Sequence, residues 1–389
     1  MATQRHRLRE GGRVNRSQRL TFRFNGRSYE GYAGDTLASA LLANDVRLVS
    51  RSFKLHRPRG IVGAGAEEPN AILQLGKGAA AQPNVRATQV ELYEGLNARS
   101  TKGWPTLRFD LAAINNRLGS VFAAGFYYKT FMRPRSLWHW YERLIRASAG
   151  FGKVPAGPDP DSYEHMNAHC DVLVVGAGPA GLMAALTAAR AGARLIIADD
   201  QSEFGGRLLA ATETVDGGPA MDWVADVVAE LAGLDNVRML PRSNVFGYHD
   251  HNFLTIAEQC TEHLPPAARR GVRQRLWRIR ARQVVLAQGA FERPLVFCNN
   301  DRPGVMLASA VSTYIHRYGV RPGHRAVVFT NNDSAYHTAI DLRKAGATVV
   351  LVDSRRGGAR LAAEAASEAG IAILQGHVVA DVTGTREVQ

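Results

Sequence analysis

Two patterns of apolar and polar positions divide this chain. Near the amino end the period is two. Leu20, Phe22 and Phe24 are apolar and Thr21 and Arg23 between them polar, the pattern of a half-buried strand. Asn25-Gly26 follows, a strong hairpin signal, and the chain returns through Ser28 to Tyr32. Asp35 is expected to cap a helix over Thr36 to Ala43, with further strands at 71–75 and 86–93. Further on the pattern changes. Val172 to Val175 and Leu195 to Ala198 are unbroken apolar runs, as parallel strands covered on both faces present. Leu182 to Ala191 between them has no Gly or Pro and reads as a helix ended by Gly192. Asp222 to Leu231 reads as another helix. Val237 to Leu240, Val245 to His249, Phe253 to Glu258 and Gln274 to Arg280 read as an inserted β-meander, and Val284 to Ala287 as a buried returning strand. Ala326 to Phe329, Ala335 to Ala345 and Val349 to Asp353 repeat the strand–helix–strand order.

These elements predict an α/β protein. A basic disordered arm (1–18) precedes a β-grasp, ferredoxin-like domain (19–100) and a connector (101–166). A dinucleotide-binding, Rossmann-type domain with the meander inserted covers 167–320, and an incomplete second Rossmann-like half covers 321–389.

The chemistry concentrates where the first βαβ unit turns. Gly176, Gly178 and Gly181 form a GxGxxG between strand and helix, with Ala180 inside it. Gly176 suits the tight turn, Gly178 lets the backbone approach a pyrophosphate, and Gly181 lets helix and strand pack closely. The helix N-terminus offers free N–H groups and a positive dipole to the same anion. Asp199, ending the second strand, is placed to accept hydrogen bonds from an adenosine ribose, and Gly205-Gly206 supplies a second close-approach turn. NAD and FAD present the same ADP half to such a loop, so these residues leave the two open. The second βαβ turn, Thr330 to Ser334, has lost its glycines, and Asp333 puts negative charge where phosphates would lie.

Composition narrows the class. The chain has 389 residues, 46% hydrophobic and 21% charged, values of a globular protein. No apolar stretch reaches a membrane span of about 18 residues, and no apolar core follows the basic amino end as in a secretory signal. A cytoplasmic protein with no membrane association is expected. Of the net charge of +13, residues 1–60 carry +9, from 13 Lys/Arg against 4 Asp/Glu. A solvated basic arm is the plain reading of that excess and docking onto an acidic partner subunit the sharper one, with nucleic acid third because no nucleic-acid module accompanies the charge. Cys170, Cys260 and Cys298 have no CxxC spacing and are expected to be buried, inert thiols, with neither an iron–sulfur cluster nor another metal site.

Arg51, Lys54, His56, Arg57 and Arg59 gather in the loop after the first helix, where ferredoxin-like domains place cluster cysteines. Packing of that loop is favoured over anion binding. Phe126 to Tyr128 and Trp138 to Tyr141 in the connector are read as packing or interface. Arg273, Arg275, Arg278, Arg280 and Arg282 are read as a solvated strand face, and His249 and His251 as a polar turn. No Ser/His/Asp or Cys/His set appears, so no catalytic residue is assigned.

Four stretches together resemble the α subunit of heterotetrameric sarcosine oxidase. They are SRSFKLHRPRGIVGAGAEEPN, PNVRATQVELYEG, VGAGPAGL with LIIADDQSEFGGRL, and LAQGAFERPLVFCNNDRPGVMLASA. The resemblance implies a cluster-free ferredoxin-like domain, then a two-dinucleotide flavoprotein-like domain holding NAD where relatives hold FAD. It implies a flavin-bearing β subunit, smaller γ and δ subunits, and FAD and FMN in the assembled complex. That complex would oxidise sarcosine to glycine with O2, giving H2O2 and formaldehyde or methylenetetrahydrofolate. The folate-binding end of the α subunit has no counterpart here, so the sequence reads as a fragment or truncated product. Mapped by motif, NAD contacts fall on Gly176, Gly178, Ala180 and Gly181, on Asp199, Asp200 and Gln201, on Gly206 and Arg207, and on Val245 beside the adenine. Two alternatives remain. One is an FAD-binding α subunit of an amine, opine or proline-type dehydrogenase, and the other a non-catalytic scaffold with a vestigial nucleotide site.

Overall fold

A computed structural model describes residues 4–119, 133–152, 154–155, 157–357 and 360–389. The aromatic group at Phe126 to Tyr128 lies outside the described residues. The chain forms two compact units, one of residues 1–158 with 293–389 and one of residues 159–292.

The first unit begins with the expected hairpin. Strands β1 (Asn15–Phe24) and β2 (Arg27–Ala33) pair antiparallel, and Asn25 and Gly26 both take positive φ, 48° and 81°, as a type I′ turn requires. Helix α1 (Leu37–Ala43) is buried along its whole length. Its cap is Thr36, not Asp35. Thr36 Oγ1 accepts from Ser39 N–H and Ser39 Oγ from Thr36 N–H, a reciprocal capping box. Asp35 instead accepts two hydrogen bonds from Arg7, at 3.0 and 2.6 Å, and one from Ser39 Oγ at 2.6 Å. This pairing orders the segment read as a disordered arm. His6 is buried, and Leu8 N–H reaches Gly319 O at 2.8 Å.

Strands β3 (Ser50–Arg51) and β4 (Pro58–Arg59) form a small ladder. Strands β5 (Ile72–Leu75), β6 (Gln82–Arg86) and β7 (Asn97–Ser100) complete a sheet in the order β2-β1-β7-β5-β6. Most of the strand expected at 86–93 is 3-10 turn and loop. The cysteine-free loop is held by carboxylates. Glu68, 1% exposed, accepts from the N–H groups of Val62, Gly63, Asn70 and Ala71 at 2.7–2.9 Å, and Glu67 from those of Ala64 and Gly65. Backbone donors that converge in such a loop need an acceptor, and two acidic side chains supply it. In the connector, α2 (Trp138–Ala149) exposes Trp138 and Trp140, so packing within the described residues does not account for them.

The second unit contains β8 (Ser162–Val175), α3 (Pro179–Arg190), β9 (Leu195–Ala198), the pair β10 (Thr214–Val215) and β11 (Gly218–Pro219), α4 (Ala220–Ala232), β12 (Val237–Leu240), β13 (Ser243–His249), β14 (Phe253–Gln259) and β15 (Val272–Leu286). Its main sheet runs β12-β9-β8-β15-β14-β13, with the first four strands parallel. Strand β8 begins well before the apolar run because its polar half pairs with β15. Arg273, 11% exposed at its side chain, bonds Asp161 at 2.5 Å and Glu262 at 2.9 Å, and Arg275 bonds Glu164 at 2.7 Å. The arginine ladder read as solvated is therefore partly an ion-pair network along β8 and β15. Leu286, expected in a buried strand, is exposed.

Residues 293–389 belong to the first unit. Helix α5 (Ala308–His316) places Ala310 and Tyr314 in the core around Phe22, Leu41 and Leu73. Beyond it, β16 (Arg325–Thr330), α6 (Ser334–Lys344), β17 (Thr348–Asp353), α7 (Arg360–Glu368) and β18 (Ala372–Gln375) form a parallel sheet with its helices. Of the three thiols expected to be buried, Cys170 is, and burial pushes it up to about 11. Cys260 is half-buried and Cys298 exposed. Cys298 is placed by its backbone, whose N–H reaches Ala380 O at 3.0 Å, not by its side chain.

Candidate dinucleotide site

The glycine turn between β8 and α3 is built under two different constraints. Gly176 has φ +95°, and a Cβ there would lie 2.5 Å from Ala287 O. A Cβ on Gly181 would lie 1.9 Å from Gly176 O. Both glycines are required by the protein's own packing. Gly178 is not. Its φ of −72° suits any residue, and an added Cβ would meet nothing nearer than Gly206 Cα at 3.9 Å. Nothing in the protein requires a glycine here, yet this position keeps the backbone at the N-terminus of α3 bare. That helix has no side-chain cap and begins with Pro179 at its first position, so the N–H groups of its first turn, including Ala180 and Gly181, lack intrahelical acceptors.

The second glycine turn faces the first. Gly205 has φ +131° and Gly206 φ +54°, and a Cβ on Gly206 would lie 2.7 Å from Gly178 Cα. Gly205 N–H donates to Ala177 O at 2.8 Å. On its other side Ala177 N–H donates to Asp199 Oδ2 at 2.6 Å, and Asp199 Oδ1 accepts from Gln201 N–H at 2.9 Å. Ser243 N–H reaches the Asp199 carbonyl at 2.7 Å, and Asp199 N–H reaches Leu240 O at 3.1 Å. Asp199, 9% exposed, thus fastens the glycine turn, the end of β9 and the start of β13 together. Asp200, next to it, is exposed.

The structure brings Gly176, Gly178, Ala180, Gly181, Asp199, Gln201 and Gly206 together. Val245 lies half-buried on β13, two residues beyond Ser243. Arg207 turns its side chain, 72% exposed, to Glu213. Sequence reasoning missed Ala177, Ser243 and Leu240, which act through backbone atoms and carry no side-chain signal.

The second βαβ unit has the same order of elements and a closed turn. Asn332 Oδ1 accepts from Ser334 N–H at 3.0 Å and from Ser334 Oγ at 2.6 Å, so the N–H of the first residue of α6 is met by a side chain of the same turn, although its N-cap, Asp333, makes no side-chain cap. Arg355 bonds Asp333 at 2.7 Å and Asp353 at 2.8 Å, and Tyr336 donates its hydroxyl to Asp353 at 2.8 Å. Burial alone would raise the Asp353 carboxyl, but the hydrogen bonds from Arg355 and Tyr336 hold it below the usual carboxylate range. Among the described residues no three His, Cys, Asp or Glu side chains come together as metal ligands, and no helix is long and apolar enough to cross a membrane.

Residues 170–389 match the family model described as pyridine nucleotide-disulphide oxidoreductase, and residues 17–103 match the 2Fe-2S iron-sulfur cluster binding domain. The chain belongs to the pyridine nucleotide-disulphide oxidoreductase family, with a ferredoxin-like domain in front. More particularly, it is homologous to the amino-terminal portion of sarcosine oxidase subunit alpha. It is 53% identical to that subunit of Rhizobium meliloti (strain 1021), over 92% of this chain and 37% of the relative. Against the subunit of Corynebacterium sp. (strain U-96) it is 40% identical, over 95% of this chain and 34% of the relative. The chain thus spans little more than a third of these relatives. The crystal structure of L-proline dehydrogenase from P. horikoshii shares the fold, with a TM-score of 0.58 at 17% identity, over 99% of this chain and 58% of that one.

Proposed function

We propose that this chain is the nucleotide-binding, amino-terminal part of the α subunit of a sarcosine oxidase complex, and that it holds NAD at the facing glycine turns. Gly178 carries the proposal: nothing in the protein requires a glycine there, and a pyrophosphate against the helix N-terminus does. The residues present fit that group. The backbone of Gly178, Ala180 and Gly181 donates to the diphosphate, and Gly206 leaves room beside it. Asp200 accepts from the ribose hydroxyls, while Asp199, whose two oxygens are already bonded to Ala177 and Gln201, positions the turn. Gln201 borders the ribose, Val245 borders the adenine, and Arg207 contributes through its backbone.

When bound, NAD supplies a redox-capable nicotinamide. This chain's residues only bind and orient the nucleotide. The oxidation of sarcosine falls to a flavin-bearing partner subunit, with FAD and FMN in the assembled complex, and this chain serves assembly. The test is to purify the chain, denature it, and identify the released nucleotide by absorbance and mass. NAD without a flavin spectrum is expected. FAD in its place would move the chain to the flavin-bearing dehydrogenase class. No nucleotide, together with no affinity for added NAD, would leave a scaffold.

A further inference from the structure

A cavity of about 430 Å3 lies within the first unit, beside the cysteine-free loop. Four cationic side chains line it, Arg51, Arg59, Arg86 and Lys102, together with the rings of Phe53 and Phe151, and no Asp or Glu lines it. Two of the cations are fixed from behind. Arg51 is buried against Asp110 and donates to the carbonyls of Leu107 and His56, each at 2.9 Å. Arg59 pairs with Asp301. The other two are different. Arg86 is exposed and donates its Nε to the carbonyl of Glu68 at 3.3 Å. Lys102 is pushed below its ordinary pKa by burial and by the charge of Arg59, and among the described residues no carboxylate offsets either effect. Four like charges around one hollow repel one another and remain only partly neutralised. An anion entering the hollow relieves that repulsion through charge-assisted hydrogen bonds.

We infer that this cavity is a second ligand site, for a phosphate monoester whose dianion is held by Lys102 and Arg86 and whose apolar part lies against Phe53 and Phe151. Two cations without a carboxylate partner match a doubly charged group better than a singly charged one. The volume falls within the range of roughly 300–1,000 Å3 of small-molecule sites. The inference goes beyond the nucleotide reading and does not rest on it, because every residue invoked lies in the first unit.

The test is calorimetric titration of the full chain with phenyl phosphate and, separately, with inorganic phosphate. It is run on the unaltered protein and on Gly178→Asn, which keeps the glycine turn from contributing. Saturable binding of phenyl phosphate is expected in both proteins, at least tenfold tighter than inorganic phosphate. Lys102→Met weakens it at least tenfold, and Arg86→Gln, at an exposed position, weakens it similarly without threatening the fold. Phe53→Ser weakens phenyl phosphate and leaves inorganic phosphate unchanged. Equal affinity for the two probes would keep the anion site and make free phosphate its ligand. No saturable binding, or binding indifferent to both Lys102→Met and Arg86→Gln, would overturn the inference.

Discussion

The two βαβ units of this chain are alike in order and opposite in what their turns allow. In the first, Val175 leads into Gly176, Gly178 and Gly181, and the N-terminus of its helix has no side-chain cap. In the second, Phe329 leads into Thr330, Asn332 and Ala335 at the corresponding positions. Asn332 accepts from the N–H of Ser334, the first residue of that helix, and Arg355 draws Asp333 and Asp353 into one ion-paired group. A helix N-terminus attracts an anion in either case. The second βαβ unit meets part of that demand with Asn332, and in the first no side chain does so among the described residues. Shared topology therefore does not imply a shared site. The residue facing the first turn of the helix decides.

The sharpest way to break this contrast is to write the second turn into the first. Gly178→Asn places a capping amide where a diphosphate would lie. Nucleotide affinity is expected to fall at least 100-fold, about 2.7 kcal/mol, with the melting temperature nearly unchanged because the added Cβ has only a 3.9 Å contact. Calorimetric titration and thermal unfolding on one preparation check both halves. Gly181→Ala should lower stability as well, because it disturbs the turn itself. Its Cβ would lie 1.9 Å from Gly176 O, an overpacking that costs about 1–3 kcal/mol. Denaturant unfolding should register this as a lower midpoint.

Separating the two neighbouring acids sharpens the account of the first site. If Asp200 holds the ribose as proposed, Asp200→Asn removes charge from those hydrogen bonds and should weaken binding about tenfold, or 1.4 kcal/mol, without loss of stability. Asp199→Asn should lower stability as well, since an amide at that position is a poorer acceptor for the Ala177 and Gln201 N–H groups. Equal and purely binding effects would return the ribose role to Asp199.

The smallest effects belong to the second βαβ turn. Asp353 is held below the usual carboxylate range, so it contributes stability above its unfolded pKa of about 3.9. That contribution is lost as pH falls through the lower folded value. Tyr336→Phe removes one hydrogen bond to Asp353 and should cost about 0.5–1.5 kcal/mol at pH 7, less at pH 3, with nucleotide binding untouched. Unfolding followed at both pH values measures it.

The features legible in the sequence are those set by neighbours in the chain. Asn25-Gly26 forces positive φ at two consecutive residues, and the hairpin follows. The spacing of Gly176, Gly178 and Gly181 between apolar runs fixes a strand–turn–helix unit. What escaped depends on partners far away in sequence. Thr36 and Asp35 are both good caps, and Arg7, 28 positions away, takes Asp35. Residues 162–166 of β8 read as connector because their cover is a ladder of arginines a hundred positions on. That Asp199 also fastens the turn, through the N–H groups of Ala177 and Gln201, was not legible because backbone partners carry no side-chain signal. Glu68 went unnoticed although its partners lie close by in the chain: four backbone N–H groups choose it, and none of them marks the sequence.

The central claim is that the first βαβ turn binds a dinucleotide and the second does not. Equilibrium dialysis of nucleotide-free chain against labelled NAD tests it most directly. One NAD per chain is expected, falling to none in Gly178→Asn while that variant unfolds at the temperature of the parent. Two NAD per chain, or one that survives Gly178→Asn, would contradict it.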